Sequence, residues 1–223
     1  MIYTAIIGDI KSSKKLENRK EVQEKFNAVL DYINETYKDS IAAKFIITLG
    51  DEFQGLLHDD TYLLDIIKYL QREMYPVKIR YGIGFGNITT EINKEAAIGA
   101  DGPAFYAGRS MIESIRLSEK KIKSHAPDIM LGLYKNSHFE LDKINTMLSL
   151  IKVIEDGWSD KQRFTIWDML CNGGTQAECA DRMSTTQSTV ARRLADGNYT
   201  LYVDSLEVVN KSIQMIRGLE IYD

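Results

Sequence analysis

The chain has 223 residues, of which 44% are hydrophobic and 27% charged, and its formal net charge at pH 7 is −4. These values are typical of a folded protein with one large domain or two small ones, and they exclude intrinsic disorder. The negative net charge excludes a general attraction to nucleic acid or anionic membranes, so any polyanion must be bound by a local site.

The cysteines and the first residues bear on the cellular compartment. Cys171 and Cys179 are the two cysteines, and their spacing fits neither a disulfide framework nor a metal knuckle. The chain enters an apolar strand without a basic leader, and no apolar run approaches the ~20 residues of a membrane helix. We therefore expect a cytoplasmic protein of bacterial type that has no membrane partner.

The first part of the chain alternates between strand and helix patterns. Ala5 to Ile10 is an apolar run that contains Gly-Asp at its end, which predicts a buried strand. The turn at 11–13 is expected to lead directly into a helix with an apolar stripe from Val22 to Tyr37. Residues 41–49 and 52–57 then predict a hairpin around the tight turn Gly50-Asp51.

The pattern continues with a second helix, from Tyr62 to Met74, and a strand from Val77 to Phe85. Ile88 to Ile92 predicts a further short strand, residues 99–102 a loop, and Pro103 the first turn of a helix that runs to about Leu117. A strand–helix–strand crossover makes the first two strands parallel, so their carboxyl ends lie at one edge of the sheet. We expect them to be neighbours, with Asp9 and Asp51 side by side.

This edge has the components of a metal–nucleotide site. Paired aspartates repel each other unless a cation offsets their charge, and Mg²⁺ completes a small set of carboxylates with water and phosphate oxygens. The expected helix amino terminus after Lys11, Ser12 and Ser13 suits a phosphate chain, and Lys14 adds positive charge. Asp101 either belongs to a ligand loop or lies near a helix cap.

The second part of the chain is helical. Lys120, Lys121 and Lys123 predict a connector, Phe139 to Glu155 a helix, and 160–218 a helical region broken at 173–174 and 197–198. Apolar spacing from Leu201 to Ile216 indicates a last helix that docks on the protein or forms a homodimer.

Within this region, Thr175 to Leu194 resembles a helix-turn-helix with Ala180 at the crossing of its two helices. The exposed face of the second helix is predicted to carry the residues that contact DNA, which are Gln187, Ser188, Arg192 and Arg193. Residues 157–199 contain five basic and five acidic side chains, whereas strong DNA binders usually have a basic excess. DNA binding and packing against a protein partner both remain open.

Three ordered motifs carry a family resemblance: residues 5–10 (AIIGDI), 49–53 (LGDEF) and 80–86 (RYGIGFG). They resemble the nucleotidyl cyclase palm superfamily, which comprises class III cyclases and diguanylate cyclases. Together with Ala100-Asp101-Gly102-Pro103-Ala104, they resemble the SatD family over most of the chain. The resemblance implies an α+β fold, with a ferredoxin-like palm domain at 1–135 and an all-α helix-turn-helix domain at 136–223.

The resemblance also implies roles for individual residues. Asp9 and Asp51 match the metal-binding aspartates, and Ile10 matches the residue whose backbone carbonyl binds the metal, Mg²⁺ or Mn²⁺. Arg109 matches the arginine that stabilises phosphate charge in the transition state, a task that its planar guanidinium suits. Its alternative is a weak ion pair with Glu113, one turn further along the helix.

Three positions differ from the enzymes. Phe105 stands where class III cyclases carry an asparagine, Ile47 where many adenylate cyclases carry a lysine, and Leu49 where diguanylate cyclases carry a glycine. These differences favour binding over catalysis. The preferred hypothesis is a regulator that binds Mg²⁺ and a nucleoside triphosphate and has a DNA-binding output domain. The alternatives are an active nucleotidyl cyclase or related phosphodiester-forming enzyme, and a non-catalytic interaction protein.

Overall fold

The computed structural model describes residues 1–13, 18–121, 126–135 and 138–217. Within these ranges the strands are β1 (Tyr3–Ile10), β2 (Ile41–Leu49), β3 (Glu52–Leu57), β4 (Ile79–Gly86) and β5 (Ile129–Leu133). The helices are α1 (Arg19–Thr36), α2 (Leu63–Met74), α3 (Pro103–Lys121), α4 (Phe139–Asp156), α5 (Asp160–Asn172), α6 (Gln176–Arg182), α7 (Gln187–Asp196) and α8 (Tyr199–Arg217).

The five strands form one sheet in the order β2-β3-β1-β4-β5. The first four strands and helices α1 and α2 form a split β-α-β unit with ferredoxin-like order, in which neighbouring strands are antiparallel. β5 extends this core by pairing parallel with β4. The α+β fold class is confirmed, but the expected neighbourhood of β1 and β2 is wrong. β3 lies between them, and Gly50, at a φ of +62°, forms the turn that joins β2 to β3.

The two faces of the sheet have different cores. Because side chains alternate along a strand, Ile6 and Ile10 of β1 join the larger core beneath α1, α2 and α4. Ala5 and Ile7 join a smaller core on the opposite face, together with Phe105 of α3. Asp9 follows the same alternation as Ala5 and Ile7 and therefore lies on the α3 face.

Three glycines of β4 let α3 lie directly against the sheet. A Cβ atom added to Gly84 would lie 2.0 Å from the carbonyl oxygen of Ala104, and one added to Gly82 would lie 2.2 Å from that of Gly108. Non-bonded atoms do not approach each other this closely, so these positions require glycine. The close approach fixes the height of α3 above the sheet, and with it the position of the arginines on that helix.

Three details differ from expectation. Ile88 to Ile92 forms a loop, since Ile88 and Ile92 pack against the smaller core without joining the sheet. The strand β5 was not predicted, and it follows α3, whose last turn contains Lys120 and Lys121 where a connector was expected. The helix expected directly after Ser13 begins at Arg19, and Lys14 lies outside the described residues.

The carboxyl-terminal helices continue the larger core. α4 packs on β5 and on α8, and the indole nitrogen of Trp158 donates to the carbonyl of Gly197, 2.7 Å away. The predicted pair of short helices, α6 and α7, is present, and each begins at a threonine, Thr175 or Thr186, whose side chain caps the helix. In the described part of the chain, no helix is both long and apolar enough to cross a membrane.

An ion pair joins α5 to α6, and it leads to a prediction about pH. The guanidinium of Arg182 donates to both carboxylate oxygens of Asp168, at 2.7–3.1 Å. These hydrogen bonds lower the pKa of Asp168 below its ordinary value of 3.8. Since the pKa is lower in the folded state, the stabilisation is present at neutral pH and is lost as the pH falls below 3.8.

We therefore expect Asp168→Asn to lower the free energy of unfolding at pH 7 by about 1 kcal/mol. Urea unfolding should show this difference narrowing as the pH falls below 3.8. Asp181→Asn, at an exposed position on α6, is the matched control and should change stability by less than about 0.5 kcal/mol. A loss at Asp168 that is the same at every pH would contradict an ionic origin.

Candidate functional site

Asp9, Asp51 and Glu52 lie at one edge of the sheet. Asp9 and Glu52 are direct partners in the ladder between β1 and β3, so both side chains lie on the α3 face. The backbone N–H of Ile10 donates to the carbonyl of Asp51 at 2.9 Å, which brings the hairpin turn to the end of β1. The hydroxyl of Ser13, a buried residue, donates to the Asp51 carboxylate at 2.5 Å.

Two arginines bind the Asp9 carboxylate, a feature that the sequence analysis missed. Arg80, the partner of Asp9 in the β1–β4 ladder, donates to Oδ2 at 2.5 Å. Arg116 of α3 donates to the same oxygen from Nη2 at 3.0 Å and from Nε at 3.3 Å. Asp9 is only 5% exposed, so its charge is neutralised inside the protein. Oδ1 takes no part in these three contacts.

An ion-pair network continues from Arg80 towards α4. Arg80 also donates to Glu119, at 2.7 and 3.0 Å, and Glu119 lies 2.7 Å from the ammonium of Lys11. Lys11 pairs in turn with Asp128, which lies 3.5 Å from Lys152 of α4. Burial raises the pKa of Glu119, but hydrogen bonds from Arg80 and Lys11 outweigh it and lower that pKa. The side chain of Lys11, predicted to bind nucleotide, is thus engaged in this network.

Glu52 shows how the charges at the edge act on each other. Burial raises the pKa of its carboxyl group, and the nearby Asp9 charge raises it further. The charges of Arg109 and Arg116 act in the opposite direction. Both arginines therefore lie close enough to Glu52 to affect its ionisation, and α3 supplies positive charge to the carboxylate edge.

Arg109 lies on α3 between the carboxylate edge and Asp101, which belongs to the loop that follows the opposite end of β4. Arg109 is half-exposed on α3, 3.9 Å from the Asp101 carboxylate. Asp101 also accepts a hydrogen bond from the hydroxyl of Tyr106 at 2.6 Å, and its carbonyl accepts one from the N–H of Thr89 at 2.9 Å. Asp101 thus attaches the loop between β4 and α3 to the start of the helix, beside Arg109.

The turn predicted to bind phosphate has an irregular backbone. Ser12 is exposed and has a φ of +56°, and the N–H of Lys11 donates to the carbonyl of Lys78 at 2.8 Å. This turn follows Ile10 directly and lies beside Asp51 through Ser13. Among the described residues the next helix, α1, begins at Arg19, so the described donors next to Asp51 are those of the turn at Lys11, Ser12 and Ser13.

The residues at this edge fit a Mg²⁺ ion that is shared with a ligand. All three side chains are carboxylates, and hard cations prefer oxygen ligands. Among the described residues, no group of three or more His, Cys, Asp or Glu side chains lies close enough together to hold a metal by itself. Mg²⁺ commonly uses one or two carboxylates and takes its remaining ligands from water and phosphate. The carboxylates at this edge would therefore supply only part of the ligands of a Mg²⁺ ion.

The predicted DNA-contacting residues divide into two groups. Gln187, Ser188 and Arg192 are exposed on α7, as expected. The prediction that Arg193 is exposed is wrong, because this residue is half-buried. Its Nη1 donates to the hydroxyl of the fully buried Thr165 at 3.3 Å. Its position, one residue after Arg192, turns it towards α5, because successive residues on a helix point in different directions.

Solved structures with some similarity include two guanylate cyclase catalytic domains. The core of a rhodopsin-guanylyl cyclase with converted specificity, in complex with ATPalphaS, is 17% identical over 50% of this chain and 70% of that chain, with a TM-score of 0.34. The guanylate cyclase domain of RhGC from Catenaria anguillulae, in complex with GTP, is 17% identical over 50% of this chain and 72% of that chain, with a TM-score of 0.35.

A third solved structure covers nearly the whole chain. A regulator of polyketide synthase expression from Bifidobacterium adolescentis is 10% identical over 95% of this chain and 86% of that chain, with a TM-score of 0.28. At such TM-scores these likenesses establish neither a fold nor an activity. No curated protein sequence matches the chain. The SatD family model matches residues 3–213, nearly the full length, and the chain therefore belongs to the SatD family.

Proposed function

We propose that this protein is a regulator that binds a nucleoside triphosphate together with Mg²⁺ and has a DNA-binding output in its helix-turn-helix. The observation that supports this most directly is the grouping of carboxylates and arginines of α3 at one edge of the sheet. Carboxylates suit the metal and guanidinium groups suit phosphate oxygens, so the two halves of a metal–triphosphate complex each have a matching partner.

In this proposal, Asp9 and Asp51 hold the metal with the backbone carbonyl of Ile10, and Mg²⁺ or Mn²⁺ supplies positive charge beside the phosphates. Arg109, half-exposed and close to Glu52, lies on the phosphate side of the edge. The turn at Ser12 and Ser13 adds backbone donors beside Asp51. Asp101 pairs with Arg109 from the loop that precedes α3.

One feature favours binding over cyclisation. Phe105 occupies the position at which class III cyclases carry an asparagine, and it is fully buried in the smaller core. An apolar side chain packed into the sheet cannot contact a substrate as an amide would. An active cyclase or related phosphodiester-forming enzyme is therefore the second proposal, and incubation with ATP and GTP plus Mn²⁺, followed by mass spectrometry, would identify its product.

The binding proposal predicts ligand-induced stabilisation that depends on both components. The melting temperature of the wild type should rise with ATP or GTP plus Mg²⁺, since a ligand that binds only the folded state stabilises it. Asp51→Asn should abolish the rise, while Asp39→Asn, in the loop before β2, should leave it unchanged. If neither triphosphate stabilises the wild type with Mg²⁺, the proposal is wrong and an interaction protein without a ligand at this edge is favoured.

The output half of the proposal concerns α7. The carboxamide of Gln187 and the guanidinium of Arg192 are exposed and suited to base edges and phosphates. Fluorescence anisotropy with promoter DNA fragments should show binding that weakens steeply as salt concentration rises. Arg192→Ala should reduce the affinity, and Lys143→Ala, at an exposed position on α4, should not. Equal affinity in wild type and Arg192→Ala would instead favour a protein partner.

A further inference from the structure

We infer that Arg116 prevents a divalent cation from binding at Asp9 until a polyphosphate accepts the Arg116 guanidinium. The metal and the nucleotide would then bind together and neither would bind well alone. This inference rests on the proposed function, and it assigns Arg116, which no sequence motif indicated, as the phosphate-binding residue that couples the two ligands.

The contacts of the two arginines show which of them can move. Arg80 has a side-chain exposure of 15% and is held by Glu119 as well as by Asp9. Arg116 has a side-chain exposure of 39%, and its other partner, Glu113, is 63% exposed. Arg80 is therefore fixed in the sheet, whereas Arg116 lies at the rim and can turn from Asp9 towards solvent.

The charge balance explains why a metal alone is disfavoured. Two guanidinium groups, those of Arg80 and Arg116, already pair with the single Asp9 carboxylate before any ligand binds. A bare divalent cation would add positive charge beside two guanidinium groups on the same Asp9 oxygen. A triphosphate brings enough negative charge for both the metal and the displaced Arg116.

The direct test is metal binding without nucleotide. Free Mn²⁺ can be measured by electron paramagnetic resonance, with the full chain as wild type, Arg116→Gln, Arg116→Lys and Arg109→Gln. We expect only Arg116→Gln to bind Mn²⁺ at least tenfold more tightly, because one charge at this distance shifts the proton affinity of a carboxylate by about 1–3 pKa units. Arg116→Lys keeps the charge and should still exclude the metal, and Arg109→Gln removes a charge that does not touch Asp9.

The outcomes separate this inference from the proposed function. If the wild type binds Mn²⁺ alone as tightly as Arg116→Gln does, the inference is wrong, although stabilisation by Mg²⁺ and ATP would still support the proposed function. If Arg116→Gln gains metal affinity and loses stabilisation by Mg²⁺ and ATP, the inference is supported. Circular dichroism and melting without ligand establish that each variant is folded before its affinities are compared.

A second and independent inference concerns the outer surface of α8. Leu201, Val208 and Met215 are exposed to 58%, 49% and 75%, and their seven-residue spacing places them in one line along the helix. Ser205 and Ser212 flank this line, and their hydroxyls donate to the carbonyls of Leu201 and Val208 at 2.7 and 2.8 Å. These five residues, here called the α8 stripe, can be buried without leaving a serine hydroxyl unpaired.

We propose that the α8 stripe binds the same stripe of a second copy, with the two helices antiparallel about Val208. A two-fold axis at Val208 brings Leu201 opposite Met215 of the other copy. Asp204 and Lys211 lie on the same edge of the stripe, on either side of Val208, so each aspartate would face a lysine across the axis, in addition to the Glu207 that pairs with this lysine on its own helix. This self-complementary charge favours a second copy over an unrelated partner.

The test is the molar mass of the full chain by light scattering across a concentration series. We expect a dimer for the wild type, a monomer for Val208→Asp, and a dimer for Leu150→Asp, which places the same charge at an exposed leucine of α4. Asp204→Lys should weaken the dimer, and the double variant Asp204→Lys with Lys211→Asp should restore it. A wild type that stays monomeric at every concentration, or a dimer unaffected by Val208→Asp, would overturn the proposal.

Discussion

Gly84→Ala should destabilise the protein by about 3 kcal/mol or more, because overpacking against rigid backbone is among the most costly core changes. The added methyl carbon would lie 2.0 Å from the carbonyl of Ala104 and 2.4 Å from the nitrogen of Gly108, both in α3. Neither atom can move unless the helix shifts. Equilibrium unfolding in urea should show this loss, and any folded fraction should have lost nucleotide-dependent stabilisation, because α3 carries Arg109 and Arg116.

Gly157→Ala is the matched control for this change. Gly157 has a φ of −76°, and its added methyl carbon would meet its nearest atoms at 3.4 and 3.6 Å. These are ordinary contacts in a conformation open to alanine, so stability should stay the same or rise by about 0.5 kcal/mol. If Gly84→Ala and Gly157→Ala behave alike, α3 does not rest directly on β4 as the structure shows.

Arg80→Ala should cost about 3 kcal/mol, since it removes one partner of a buried ion pair and leaves carboxylates behind. Arg80 has a side-chain exposure of 15% and donates to both Asp9 and Glu119. Part of the cost should be recovered at low pH, because Arg80 lowers the pKa of Glu119 and an unpaired Glu119 can then be protonated. Urea unfolding at pH 7 and pH 4 measures both effects.

Arg116→Ala is the comparison for Arg80→Ala, because it removes the other guanidinium from the same oxygen of Asp9. It should cost about 1 kcal/mol, as its side chain is 39% exposed and the pair is screened by water. Equal losses for the two variants would mean that the two arginines are equally fixed, which would also weaken the inference that Arg116 can move.

Much of the fold was predictable because its signals are local. The Gly50-Asp51 turn between two β-branched runs predicted β2 and β3 with their observed bounds, and the capping threonines mark α6 and α7. The strand β5 was missed because Ile129–Leu133 is short and depends on pairing with β4 and cover by α4. The order β2-β3-β1 depends on which hairpin strand enters the sheet, and local pattern does not determine this.

The sequence predicted the carboxylates of the site but did not predict the arginines that bind them. Asp9 and Asp51 each lie at the end of an apolar run, and the positions of these two strand ends were enough to predict that both aspartates lie at one edge. The contact between Arg80 and Asp9 depends on the register of β1 and β4, and the contact of Arg116 depends on the rotation of α3. One signal was available: Arg80 is a charged residue in an otherwise apolar strand, and a buried charge requires a partner.

The larger hydrophobic core couples the stability of the amino-terminal and carboxyl-terminal halves of the chain. It contains Ile6 of β1, Tyr81 of β4, Leu148 of α4, and Val190 and Val209 of the last two helices in one continuous cluster. Separation at residue 135 would expose apolar surface on both pieces, so the chain should melt in a single transition. By mass action, a ligand at the rim beside Asp9 would then raise the folded population of the helix-turn-helix as well, without any change in its shape.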